Sequence, residues 1–170
     1  MLNDWLTGIA EAIAGSSIRQ MVIDLLSSVP GLPPGVQTLH ILAIAVVVAA
    51  FVVPNLKILG IAAQGQSYDE MLSRLRPWAW SALGVLLLSG AVFVIARPFR
   101  YFFNPVVGTK FTCLAVALCL TVVVQNAART RAPVFPLVLK AAAALTVLAW
   151  FAVIVAGRWI AYVDYLFWEE

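Results

Sequence analysis

Four long apolar stretches constrain the fold of this chain more than any other feature. They cover about residues 37–59, 77–96, 105–125 and 136–158. A helix needs about 20 predominantly apolar residues to cross the roughly 30 Å hydrocarbon core of a bilayer, and each stretch has that length. The composition agrees, because 63% of the residues are hydrophobic and only 11% are charged. The sequence therefore predicts an all-α integral membrane protein built as a four-helix bundle.

Proline residues mark the predicted ends of these spans. Pro77, Pro105 and Pro136 lie at or near span starts, where a missing backbone N–H costs nothing. In the loop before the second span, Ser67 and Glu70 have capping-box spacing, which predicts a further short helix. We expect Pro77 to stop that helix, so that the second span begins separately.

The first 35 residues are amphipathic and lack a stretch long enough to span. Apolar residues recur at helical spacing before and after Gly15, with Ser17 and Gln20 in capping-box spacing. We predict two short interfacial helices that lie on the membrane surface or on the bundle and end in a Pro/Gly turn at residues 30–35. Residues 1–35 thus form a surface segment, and residues 36–170 form the four-helix domain.

Small residues repeat every seven positions on two of the spans. Ala142, Ala149 and Ala156 do so on the fourth span, and Gly84 and Ala91 on the second. Helices in lipid associate where small residues allow their backbones to approach closely. Both stripes are therefore predicted to face the inside of the bundle.

The spans define two membrane faces. The first face holds the start of spans one and three and the end of spans two and four; the second face holds the loops 60–76 and 126–135. Lys and Arg are divided almost equally between them, while acidic residues favour the first face. We predict a multi-pass protein of the bacterial inner membrane, with both termini outside and the second face cytoplasmic.

Several polar and aromatic residues lie near the ends of the spans at the first face. The candidates for binding a ligand or cofactor are His40, Arg97, Arg100, Tyr101, Lys110, Arg158 and Tyr162. Placing a charged side chain within the membrane costs free energy, so such a residue usually has a partner or a function. One interpretation is that they anchor the spans at the interface and that His40 is a packing residue. The other is that they donate hydrogen bonds to an anionic or carbonyl group, such as a haem propionate, a quinone or a lipid phosphate.

The sequence offers little for catalysis or for metal binding. It contains one histidine and lacks paired carboxylates, a Cys/His metal motif and a phosphate-binding glycine loop. If His40 ligated a metal, the second ligand would be Met21 or a histidine from another chain. The net charge of +3 is dispersed, which argues against nucleic acid as a partner. An enzyme is therefore the less favoured class.

Two segments resemble known membrane proteins. Residues 104–111 (NPVVGTKF), leading into a helix that ends QNAAR, are similar to the glycine-x-lysine helix of the copper-resistance D family. That resemblance implies copper handling or a b-type haem, as in cytochrome b561-like proteins. Residues 36–162 more closely resemble a group of small, uncharacterised bacterial four-helix membrane proteins, through His40, the NP…K motif and the ending GRWIAY.

Three functional hypotheses follow from these observations. The first is a non-catalytic membrane subunit or binding module that anchors a partner subunit or a second copy, or shelters a lipid-like or quinone-like ligand at the outer face. The second is a redox protein that holds one b-type haem or a quinone through His40. The third is a small transporter or copper-handling protein, which would need polar groups at mid-membrane.

Overall fold

The computed structural model describes residues 2–130, 134–160 and 162, and within these ranges the chain is helical with no strand. The helices are α1 Leu2–Ala14, α2 Ser17–Ser28, α3 Leu32–Ile58, α4 Tyr68–Ala96, α5 Pro98–Phe102, α6 Pro105–Arg129 and α7 Leu137–Trp159. The four long helices α3, α4, α6 and α7 are each apolar and long enough to cross a membrane. The predicted all-α, four-span architecture is thereby confirmed.

The N-terminal segment forms two short helices, as predicted. The cap of α2 is Ser16 rather than Ser17, because the Ser16 hydroxyl accepts the hydrogen bond from the backbone N–H of Arg19 at 3.2 Å. Helix α1 packs against α5, and α2 packs against α4. Both therefore lie on the bundle. On α2, Val22 and Leu26 are half-buried while Met21 remains 70% exposed.

Helix α3 begins earlier than predicted. It includes Pro33 and Pro34 in its first turn, so the expected turn at residues 30–35 is wrong from residue 32 onwards. The physical reason is that the first N–H groups of a helix have no partner within it, which makes proline acceptable there.

Helix α4 is continuous from Tyr68 to Ala96, and the prediction that Pro77 separates two helices is wrong. Ser67 is the N-cap as predicted and accepts from the N–H of Glu70 at 3.2 Å. Pro77 removes one backbone hydrogen bond to the carbonyl of Ser73, an exposed residue. Burial of Met71 and Leu72 in a core shared with the other long helices offsets that loss.

The four long helices do not pack equally against one another. Helix α3 packs along α4, α6 packs along α7, and α3 and α7 join these two pairs. Helices α4 and α6 touch each other at few positions, so the bundle is open along one side.

The two predicted small-residue stripes have different outcomes. On α7, Ala156 is buried and Ala142 and Ala149 pack partly buried against the core, so the predicted inward orientation of that stripe is confirmed. On α4, Gly84 and Ala91 are exposed, so their predicted inward orientation is wrong. Small side chains such as Ala82 and Ala117 and large ones such as Trp150 together fill the interfaces of this bundle.

Candidate functional site

His40 is held in the interface between α3 and α4. Its Nδ1 lies 2.7 Å from the hydroxyl oxygen of Ser89, and that hydroxyl donates to the carbonyl of Val85 at 2.6 Å. A serine hydroxyl has a single proton, so when Ser89 donates to Val85 the donor in the bond between His40 and Ser89 is Nδ1 of His40. In that arrangement the neutral form of His40 carries its lone pair on Nε2.

The ring of His40 is also packed tightly. It meets the ring of Phe93 edge-on, with centroids 5.6 Å apart, and a Cβ built on Gly90 would lie 3.8 Å from its Cε1. Sequence reasoning missed these partners on α4. The feature of the sequence that could have indicated these partners is Ser89, a serine within an apolar span that lies four residues before Phe93.

The other predicted residues at the first face form separate contacts. Arg158 donates to the hydroxyl of Tyr162 at 2.7 Å, and its guanidinium carbon lies 4.9 Å from the centre of that ring. The Lys110 side chain packs against α7 beside Gly157. A Cβ atom added to Gly157 would lie 3.6 Å from Cε of Lys110. The contacts of His40 are to α4 instead.

Arg97, Arg100 and Tyr101 lie where α4 ends and α5 begins. Arg97 is the residue between the two helices, and its backbone N–H donates to the carbonyl of Phe93 at 3.1 Å. Arg100 and Tyr101 are half-buried on α5, and each takes part in further interactions. This region is a helix-ending turn with aromatic side chains, which is typical of the membrane interface.

The surroundings of His40 do not suit a haem or a copper ion. A b-type haem with two protein ligands needs a second axial donor, and copper needs several imidazole or sulfur ligands around one ion. The chain has one imidazole, and Met21 presents most of its side chain outward from α2. Within the described ranges, no group of three or more His, Cys, Asp or Glu side chains is placed to hold a metal.

A cavity of about 240 Å³ lies at the second face, where α4 and α6 fail to close. We call it the α4–α6 cleft. Its lining residues are Ala50, Phe51, Leu72, Leu75, Arg76, Ala79, Trp80, Leu83, Leu118, Thr121, Val122, Gln125, Asn126 and Arg129. At a rise of 1.5 Å per residue, it extends about 16 Å along α4, from Leu72 to Leu83, and about 16 Å along α6, from Leu118 to Arg129.

The deep wall of the cleft is mostly apolar. Phe51 stacks on the buried ring of Trp150, with centroids 5.0 Å apart and planes inclined by 21°. The indole N–H of Trp150 donates to the hydroxyl oxygen of Thr121 at 3.0 Å, and Thr121 donates to the carbonyl of Ala117 at 2.7 Å. These bonds tie α7 to α6 behind the cleft.

The mouth of the cleft is cationic. Arg129 on α6 forms an ion pair with Asp69 on α4, with Nε and Oδ1 3.3 Å apart. Arg74 pairs with Glu70 on the outside of α4 and does not line the cleft. Arg76 lines the cleft and pairs with no carboxylate in the described part of the chain.

Two amide side chains, those of Gln125 and Asn126, complete the polar mouth. Nε2 of Gln125 is buried and makes no hydrogen bond with the residues that the structure describes. Sequence reasoning placed both amides at the end of the third span without assigning them a role. The feature that could have indicated a role is that Gln125 and Asn126 follow an apolar segment and precede the basic residue Arg129.

Most of the chain matches the model of a known protein family. A family model matches residues 34–163, which contain nearly all of α3 and the whole of α4, α6 and α7. The chain belongs to the family of unknown function DUF6644. The DUF6644 region includes every residue of the α4–α6 cleft and leaves out α1 and α2.

The match agrees with the expected likeness, over residues 36–162, to an uncharacterised membrane protein family. No curated protein and no solved structure matches the chain. Similarity to copper-resistance D or cytochrome b561 is not found in these comparisons.

Proposed function

We propose that this DUF6644 protein is a non-catalytic membrane binding module that shelters a lipid-like amphiphile in the α4–α6 cleft. The observation that supports this proposal is a cavity lined by residues of α3, α4 and α6, located between α4 and α6, two helices that scarcely touch. An amphiphile can enter such a cavity from the bilayer without leaving the membrane. The proposed site lies at the second face, opposite the first-face residues singled out from the sequence.

The distribution of polarity along the cleft favours an amphiphile. Its wall towards Leu83 and Leu118 is apolar, whereas Arg76 and Arg129 lie at its mouth. The length of about 16 Å corresponds to roughly half of the 30 Å hydrocarbon core, which is the depth of one leaflet. Sites that enclose a drug-sized ligand have about 300–1,000 Å³, so the smaller volume here suits one apolar chain whose remainder stays in the bilayer.

The chemistry of the lining favours binding over turnover. The described lining residues offer guanidinium, amide and hydroxyl groups. The Thr121 hydroxyl is engaged with both Trp150 and Ala117, so it is not an activated nucleophile. Guanidinium and amide groups recognise polar heads through hydrogen bonds. We place this module in the bacterial inner membrane, with the cleft in the cytoplasmic half.

Native mass spectrometry of the protein released from its membrane in mild detergent tests the proposal. We expect a bound amphiphile on the wild-type protein. Filling the cleft with L83W or A79F should reduce the occupied fraction about tenfold, because the added ring occupies the volume of the ligand. The matched control is A91F, which adds the same bulk at an exposed position of α4 outside the cleft.

Thermal unfolding of each variant accompanies the measurement. Ala79 is buried, so A79F risks misfolding, whereas Leu83 is half-buried and accepts a larger side chain more readily. Equal occupancy in L83W and A91F, or a wild-type protein that carries no amphiphile, would overturn the proposed function.

A further inference from the structure

We propose that the amphiphile is an anionic phospholipid whose phosphate binds between Arg76 and Arg129, with Asp69 as the intramolecular anion that it displaces. This inference rests on the proposed function, because it names the ligand class of the same cleft.

The basic side chains of α3 and α4 at the second face differ in their partners. Arg74 already pairs with Glu70, with Nη2 and Oε1 2.6 Å apart. Lys57 is buried and donates to the carbonyl of Ala63 at 2.7 Å, which stabilises the turn after α3. Arg76 has neither kind of partner among the described residues and lines the cleft. A bound anion would supply the missing partner.

Arg129 is held by a bond that a phosphate can replace. Its ion pair with Asp69 joins α6 to α4 across the mouth, and the two side chains are 43% and 67% exposed. Ion pairs this exposed to solvent contribute little. A phosphate offers several charged oxygens and binds guanidinium groups through paired hydrogen bonds. We therefore infer that Asp69 pairs with Arg129 while the cleft is empty. When the lipid binds, its phosphate replaces Asp69 as the partner of Arg129.

Gln125 supplies a third donor. Its buried Nε2 has no acceptor in the described structure, and an unpaired buried donor is costly. A rotation of the amide towards the cleft would give this donor a phosphate oxygen. Two guanidinium groups and one amide match the several oxygens of a phosphate better than the two oxygens of a carboxylate.

The apolar wall distinguishes a lipid from a free phosphate ester. Both share the phosphate chemistry, but only a lipid uses the wall between Leu83 and Leu118. A cationic site also suits the cytoplasmic leaflet, where anionic lipids attract basic segments. Lipid entry from that leaflet agrees with the predicted topology.

Binding of defined probes to delipidated full-length protein tests this inference. The probes are phosphatidylglycerol, a diacylglycerol with the same chains, and glycerol 3-phosphate. We expect phosphatidylglycerol to bind at least about tenfold more tightly than either other probe. R76Q should weaken its binding about tenfold, whereas the matched control R74Q, two residues away and outside the cleft, should leave it unchanged.

A second pair of variants tests the competition by Asp69. D69N should strengthen phosphatidylglycerol binding several-fold, because Arg129 loses its intramolecular anion. E70Q removes the same charge from the same helical turn but frees Arg74, which lies outside the cleft, so it should have no effect. A D69N variant that binds no better than E70Q would refute the competition.

The outcomes separate the two proposals. If diacylglycerol binds as tightly as phosphatidylglycerol and R76Q has no effect, the phosphate assignment is wrong and the lipid-binding function stands. If neither lipid binds, both fail. If glycerol 3-phosphate binds as tightly as the lipid, the cleft is a phosphate-ester site and both proposals are refuted.

Discussion

The hydrogen bond between Trp150 and Thr121 should stabilise this protein measurably, because it joins two spans behind the α4–α6 cleft. Both side chains are almost fully buried, and the Nε1 to Oγ1 distance is 3.0 Å. T121V preserves the shape of the side chain and removes the acceptor. The indole N–H is then left without a partner in the interior.

The magnitude follows from the environment of this bond. Interhelical hydrogen bonds in membrane proteins contribute on average about 0.6 and at most about 1.7 kcal/mol. Leaving a buried donor unsatisfied costs about 1–3 kcal/mol. We therefore expect T121V to reduce the free energy of unfolding by about 1–2 kcal/mol.

Thr146 provides the matched control. It is also fully buried, but its hydroxyl donates to the carbonyl of Ala142 in its own helix at 2.8 Å. T146V removes no bond between helices, and we expect it to cost less than about 0.5 kcal/mol, since that carbonyl keeps its helical partner.

Reversible unfolding of the two variants in mixed detergent micelles measures the difference. Adding W150F to T121V completes a double-mutant cycle, for which we expect a coupling energy of about 0.6–1.7 kcal/mol. Equal destabilisation by T121V and T146V, or a coupling energy near zero, would refute the structural role of this bond.

Three further predictions concern other parts of the chain. S89A should abolish the preference of neutral His40 for the Nδ1–H tautomer, as read from the imidazole ¹⁵N shifts; an unchanged tautomer ratio would contradict the assigned donor. Asn104 caps α6 by accepting from the N–H of Val106 at 2.9 Å, so N104A should cost about 1 kcal/mol in a denaturant titration and N104S should cost less. A cysteine at position 64 should react with impermeant thiol reagents only in inverted vesicles; labelling in whole cells would reverse the predicted topology.

The existence of the four spans could be predicted because the requirement is local. Each helix must present about 20 apolar residues to lipid, and such a run is visible in the sequence without knowledge of its neighbours. Caps such as Ser67 are equally local, since a side-chain oxygen bonds to an N–H three residues away. The predicted starts of α6 and α7 accordingly lie within one residue of those observed.

The errors arose where burial overrides a local preference. Pro77 is a helix breaker by its own geometry, yet α4 continues through it because Met71 and Leu72 are buried in the core on its N-terminal side. Gly84 and Ala91 have the spacing of a packing stripe, yet they are exposed, because neighbouring helices contact a different side of α4. Spacing defines a face of a helix, and only its neighbours decide which face is buried.

The sequence by itself determined that this chain is helical, that it can cross a membrane four times and that two short amphipathic helices precede the spans. These properties depend on the transfer of apolar side chains from water and on hydrogen bonds within each helix. Only the tertiary structure decided that α4 and α6 remain apart and that Arg76, Gln125 and Arg129 line one cleft. Residues so far apart in sequence meet through the rotation and pairing of whole helices, which depend on the packing of large side chains such as Trp150 and Phe51.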